Sequence, residues 1–227
     1  AKEKTDGMIE RIVDGYSPNV VMQILNALCF DAEWVNTADV CYDGTFYHAD
    51  GATSKVPFMD FLYESKYIEP SNATGMIKDY KGGKYSFVAL MPNEGITLDE
   101  YIATLDGKGF MQAINSVKNG ELELHMPKFK AETTIDLKPT LKEQGITDAF
   151  DAGKANLQGL GKSANGNIYV SSVTQNTFIE VSELGTRAAA VTSVLAEDDC
   201  EYTGYSLWLN RPFVYAIIDT ETGMPLF

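Results

Sequence analysis

Apolar and polar side chains alternate along much of this chain, and a period of two sends successive residues to opposite faces of a strand. Leu122, Leu124 and Met126 follow that period, and the pattern predicts one long strand from Gly120 to Thr134. A second strand-like run, Asn167 to Val181, leads into Glu183-Leu184-Gly185-Thr186-Arg187-Ala188-Ala189-Ala190-Val191-Thr192, where the residues become small. Alternation carries on through this stretch. Thr186, Ala188, Ala190, Thr192 and Val194 fall on one face, and Arg187, Ala189, Val191 and Ser193 on the other. The first face is small and uncharged, so a sheet can bury it at little steric or desolvation cost. The charge of Arg187 lies on the face that can stay wet. The stretch reads as a loop that can also become a buried strand.

The remaining pattern is strand-rich. The apolar run Val20 to Phe30, interrupted by Gln23 and Asn26, predicts a buried strand. It falls short of the roughly 18 to 20 residues that cross a bilayer. Met8, Ile9, Ile12 and Val13 are spaced for a helix over residues 3–14 that stops at Gly15. Short strand pieces are expected between Asp39 and Tyr67, with a turn at Asp50-Gly51. Met76–Tyr80 and Tyr85–Met91 flank Lys81-Gly82-Gly83-Lys84 as a hairpin. Thr97-Leu98-Asp99-Glu100 is a capping box, and a second short helix fits Phe110 to Val117. Asp136 is placed to cap a helix that ends at Gly145. Residues 151–166 read as a loop. Strands follow at Tyr205–Leu209 and Phe213–Ile218, then a turn over Asp219–Gly223 and a last strand to Phe227. With few helices and no repeat period, the fold class is α+β with large antiparallel sheets.

Composition narrows the function. The 227 residues are 44% hydrophobic and 22% charged, which suffices for a sizeable core. Acidic residues outnumber basic ones 32 to 18, giving a net charge of -14 that argues against nucleic acid or an anionic membrane surface as partner. The first ten residues carry no signal-peptide pattern. Three cysteines give no disulfide framework; Cys29 reads as a core thiol, and acidic neighbours of Cys200 oppose its thiolate. His48 and His125 lack a second ligand at metal spacing and read as structural or surface residues. Gly159-Leu160-Gly161-Lys162-Ser163 is not a phosphate loop, because Asn156 stands where its first glycine belongs. Asn72-Ala73-Thr74 matches a glycosylation sequon of the kind expected by chance. No Gly-x-Ser-x-Gly, CxxC or paired-carboxylate signature is present. The expectation is a protein that is not an enzyme and uses no metal or cofactor.

Several ordered motifs resemble one family. Asn26-Ala27-Leu28-Cys29-Phe30 with Trp34, Met126-Pro127-Lys128-Phe129-Lys130, and Asp136-Leu137-Lys138 with Leu141 and Gly145 to Phe150 resemble successive segments of the serpins, the serine protease inhibitors. Ile168 to Val181, Glu183 to Ala190 and Asn210-Arg211-Pro212-Phe213 continue the match in order. The chain is thus similar to about the C-terminal three-fifths of a serpin domain of bacterial type. The family's first helices would lie outside the chain, residues 3–14 would end the helix across the central sheet, and the closing strand would be cut short. Bare sheet faces would follow, so the missing part is expected as another polypeptide or further residues.

The resemblance implies a serpin fold with a large mixed central sheet, further sheets and a few helices. It also implies an irreversible suicide-substrate inhibitor of serine proteases, and by extension cysteine proteases. The alternative is a non-inhibitory serpin acting as a binding or chaperone protein. The reactive loop would span about residues 183–204 of a partial single domain, 1–227, with the scissile bond near Asp199-Cys200. Asp199 would suit an acid-preferring protease and Cys200 an elastase-like one; Glu201 is a further candidate. The hinge would be Glu183, Gly185, Thr186, Ala188, Ala189 and Ala190. Trp34, Lys128 and Glu183 match the breach where the loop enters, with a Lys128–Glu183 ion pair implied. Asn26 matches the shutter under the sheet centre, and Gln175 occupies the position of the family's usual histidine. Leu184 and Arg187 replace hinge glutamates without charging the inserting face. The expected setting is extracellular or at the cell surface, with a cytoplasmic one left open.

Overall fold

The computed structural model describes residues 3, 7, 9, 22–161, 163, 166–186 and 204–227. In chain order the elements are β1 (Gln23–Cys29), β2 (Ala32–Glu33), β3 (Val40–Tyr47), β4 (Thr53–Ile68), β5 (Ala73–Asp79) and β6 (Tyr85–Pro92). Then come α1 (Leu98–Thr104), α2 (Gly107–Asn115), β7 (Lys118–Pro127), β8 (Phe129–Asp136) and α3 (Lys138–Glu143). β9 (Ser172–Ser182), β10 (Gly185–Thr186), β11 (Tyr205–Trp208) and β12 (Val214–Asp219) complete the chain. The expected α+β class, with a large antiparallel sheet and a second, mixed sheet, is what the chain adopts. It divides into two compact units, Ala1–Phe30 with Lys130–Ile179, and Asp31–Phe129 with Glu180–Phe227.

In the first unit, β1 and β9 pair in parallel from Gln23↔Ser172 to Cys29↔Phe178, and β8 also pairs with β9. Leu137, Leu141 and Ala149 pack on Phe150, Val170 and Val173, tying α3 to the root of β9. The N-cap of α3 is Leu137, with no side-chain cap bond, rather than Asp136; the Asp136 carboxylate accepts the Lys138 amide at 3.0 Å, and Gly145 at φ 93° ends the helical segment. Within the run Val20–Phe30, Gln23–Cys29 form a strand, but not a buried one. Ile24 and Leu25, on opposite faces, are 41% and 40% exposed, and among the described residues β1 is an edge strand paired only with β9. Cys29 is accordingly half-buried rather than a core thiol. Most of the predicted helix over residues 3–14 lies outside the described residues.

In the second unit, a sheet runs in the order β11-β7-β4-β5-β6-β12, with β3 also on β4. The short strand pieces expected before Tyr67 are in fact β3 and one strand of 16 residues, β4. β4 takes β3 as partner up to Asp60 and β5 from Tyr67, while its separate pairing with β7 shifts register between Phe61 and Lys66. The predicted single strand Gly120–Thr134 divides at Lys128 into β7 and β8. Pro127 offers no amide to a ladder, and the Lys128 amide is spent on the Pro57 carbonyl at 2.8 Å. The hairpin of β5 and β6 forms as its sequence predicts. The capping box closes with Thr97 Oγ1 accepting the Glu100 amide and Glu100 Oε2 accepting the Thr97 amide. α2 starts three residues ahead of Phe110, because Asp106 Oδ1 accepts the Gly109 amide at 2.6 Å. Tyr101, Phe110, Ala113 and Ile114 from the two helices bury against Val88, Leu90, Ala216 and Ile218 of β6 and β12.

Candidate functional site

The site forms where β9 ends. Ser182 and Gly185 face each other across the two-residue turn Glu183-Leu184, and Thr186 faces Val181, so β9 and β10 make a minimal hairpin. The other edge of β10 pairs with β2, Gly185↔Glu33 and Thr186↔Ala32. β10 is therefore a two-residue strand paired on both edges. The turn is fastened through its carbonyls. Trp34 N donates to Leu184 O, Ala38 N to Glu183 O and the Trp34 indole to Ser182 O, each at 2.9 Å. Ser182 Oγ donates to Gly185 O at 3.0 Å.

Gly185 is sterically required here. A Cβ would lie 2.2 Å from the Ala32 carbonyl oxygen and 2.7 Å from Glu33 Cα, both backbone atoms. Thr186 has no exposed surface, and its hydroxyl shares a 2.6 Å hydrogen bond with the Tyr80 hydroxyl. Burial pushes the Tyr80 phenol up, with the Thr186 bond pulling the other way, so the phenol remains neutral and keeps its proton. Its ring stacks on Trp34 at 4.3 Å, and Phe87 meets Trp34 edge-on at 5.8 Å. Below Trp34 lies Lys78, buried on Glu64, donating to Asn36 O at 2.9 Å and poised over the Phe61 ring at 3.9 Å. Burial pushes the Lys78 ammonium below the usual lysine range, against the opposing pull of Glu64.

Lys128 Nζ sits 2.7 Å from Glu183 Oε2, on the same turn. Cys41 lies beside this pair. Burial raises its thiol, Lys128 opposes that, and Glu183 and Asp60 add to it. Trp34, Lys128 and Glu183 thus converge on one turn, and Gly185 and Thr186 continue directly from it. Ala188, Ala189, Ala190, Asp199 and Cys200 lie outside the described residues. Asn26 and Gln175 are register partners across β1 and β9, Asn26 exposed and Gln175 half-buried.

Tyr80, Lys78, Glu64 and Cys41 were missed by sequence reasoning. Lys78 follows the buried alternation of β5, but its charge masks that in a one-dimensional reading. Away from this site, His48 bonds Ser54 at 2.8 Å. His125 is buried between Asp60 at 2.5 Å and Glu123 at 3.4 Å and stacks on Trp208 at 3.6 Å, holding β11 to β7. Among the described residues, no group of His, Cys, Asp and Glu is placed to hold a metal, and no helix is long and apolar enough to cross a membrane.

A strand that doubles back at its end into a short paired segment, beside a large antiparallel sheet, is the architecture of a serpin. The family model for serpins, serine protease inhibitors, matches residues 1–227, and the chain belongs to that family. Tengpin, a thermophilic serpin, superposes in its native state with a TM-score of 0.87 at 44% identity, over 99% of this chain and 58% of that one. Its latent state gives 0.76 at 41% identity, over 99% and 60%. Serpin I2 of Homo sapiens is 27% identical over 234 residues, 100% of this chain and 57% of the relative. Human thyroxine-binding globulin, solved in complex with thyroxine, gives 0.83 at 25% identity, over 99% and 59%. The chain thus spans about three-fifths of the length of these relatives.

Proposed function

We propose that this chain belongs to an inhibitory serpin that traps serine proteases by loop cleavage and insertion. The observation that carries the reading is β10: the hinge already forms a two-residue antiparallel ladder with β9 and β2, with Thr186 buried. A protease serine attacks the scissile carbonyl near Asp199-Cys200, the peptide C–N bond breaks, and the amine leaves with a proton. The acyl ester stays on the loop. Extending β10 along β9 then brings the loop to Ser172–Phe178, which β1 now occupies, so that ladder opens and the loop takes its place. Roughly 15 inserted residues at about 3.3 Å each would carry the ester about 50 Å.

A carrier role, as for the thyroxine-binding relative, has less support here. A two-sided ladder at the hinge serves insertion directly, and Thr186 and Gly185 place no charge in it. The test is incubation of the full-length polypeptide with serine proteases of elastase-like and acid-preferring specificity. A complex that survives boiling in detergent is expected, and cleavage without any complex would overturn the reading.

A further inference from the structure

We propose that the Tyr80 hydroxyl is the positioning group of the hinge: it seats Thr186 at the sheet entry and so commits a cleaved loop to insertion rather than release. This rests on the inhibitory reading above and adds to it a residue outside both hinge and loop. Tyr80 directly follows β5 and is brought to β10 by the isolated bridge Trp34↔Tyr80. Neither residue has exposed surface.

The case is one of scale. β10 holds only two residues, and Gly185 contributes no side chain, so Thr186 supplies the segment's own side chain. A two-residue ladder is close to the minimum that can persist, and fixing the first pairs of a ladder is the costly part of forming it. Once Thr186 is seated, each further residue of the loop only extends pairing that exists. Before it is seated, the loop must nucleate while the acyl ester is exposed to water. The competition between those two rates decides whether the protease is trapped or freed. The 2.6 Å Tyr80–Thr186 bond acts on that first step alone.

The hydroxyl is also aimed. Stacking at 4.3 Å fixes the Tyr80 ring on Trp34, and the Trp34 indole is itself held by Ser182 O. The Tyr80 backbone amide is held by Tyr85 O at 3.1 Å. The phenol stays neutral because burial disfavours its anion, so its hydroxyl can donate or accept throughout the physiological range.

Tyr80→Phe, Thr186→Val and the double variant test the proposal in the full-length polypeptide. Amide exchange over the Gly185–Thr186 segment reads seating without any protease. The ratio of detergent-stable complex to released cleaved protein, taken with the rate of first cleavage, reads commitment. Each single variant leaves one hydroxyl buried without this partner, and exchange should rise roughly tenfold while the complex fraction falls several-fold. Replacing both hydroxyls by apolar groups of like shape should bring both readouts back towards wild type. Unchanged exchange in Tyr80→Phe, or additive losses in the double variant, would overturn the proposal. If the wild type traps no protease, the inhibitory reading falls, while the exchange series still decides whether Tyr80 seats Thr186.

Discussion

Lys128 and Glu183 form an ion pair at 2.7 Å in which the carboxylate side is 7% exposed and the ammonium side 27%. The asymmetry decides what each loss would do. Lys128→Met strands a nearly sealed carboxylate, whereas Glu183→Gln leaves an ammonium that water can reach. A fully buried orphaned charge costs roughly 3 to 5 kcal/mol, and the partial exposure of Lys128 lowers this to about 2. Thermal unfolding should show Lys128→Met melting lower by several degrees and Glu183→Gln by clearly less. Equal losses would mean that the pair is screened like a surface bridge.

Gly185→Ala should disrupt the β10 segment of the proposed hinge locally rather than unfold the chain. The added Cβ meets the Ala32 carbonyl at 2.2 Å, and neither backbone can move away while Thr186 stays paired with Ala32. Relief by separating β10 from β2 costs roughly 1 to 3 kcal/mol. Hydrogen exchange should rise over Ala32–Trp34 and Gly185–Thr186 and stay unchanged in β5 and β6. Protection unchanged at Ala32–Trp34 would contradict this.

How far the sequence announced all this depends on the range of the interaction. Local signals were legible: the Thr97 capping box, the hairpin across Gly82-Gly83, and the small-residue stretch whose first members, Gly185 and Thr186, are paired and buried. The serpin motifs led to the family that the whole chain matches. Interactions between distant residues were not legible. Tyr80 and Thr186 are 106 positions apart, and nothing in the alternation of β5 marks that tyrosine as a hydrogen-bond partner. The break at Pro127 was hidden because alternation continues on both sides of it. The exposure of Ile24 and Leu25 was hidden because hydrophobicity reports what a strand can bury, not which neighbours it has.

The buried pair Lys78–Glu64 gives a pH prediction with a definite sign. The folded ammonium titrates below the usual lysine range, so between that lowered value and about pH 10.4 the unfolded chain binds more protons at this site. This group's contribution to stability therefore rises with pH through that window. Lys78→Met alone strands Glu64 and should cost roughly 3 to 5 kcal/mol, while Lys78→Met with Glu64→Leu should return close to wild type. Denaturant unfolding from pH 7 to 10 should show wild type gaining on the double variant as pH rises. A constant gap would show that Lys78 titrates as an exposed lysine.

The ladder that the proposed insertion would open carries its own destabilising feature. Gln23 Oε1, Ser172 Oγ and Asn176 Oδ1 are buried with no hydrogen-bond partner among the described residues, and all three lie on β1 or β9. Gln23 and Ser172 are register partners. A buried polar atom left unpaired costs roughly 1 to 3 kcal/mol, so the closed ladder is less stable than its backbone pairing alone would make it. Asn176 is the cleanest probe, at 4% exposure and opposite Ala27, with leucine a close match in volume. Asn176→Leu should raise stability by about 1 to 2 kcal/mol, which shifts the thermal midpoint up by several degrees. If closure of β1 on β9 holds insertion back, the same variant should also trap less protease per cleavage, because the closed state gains while the loop gains nothing. Stability and trapping would then move in opposite directions. A variant that melts higher and traps as well as wild type would place the rate-limiting step at the hinge instead, and one that melts lower would show that Asn176 makes a stabilising contact in the folded chain.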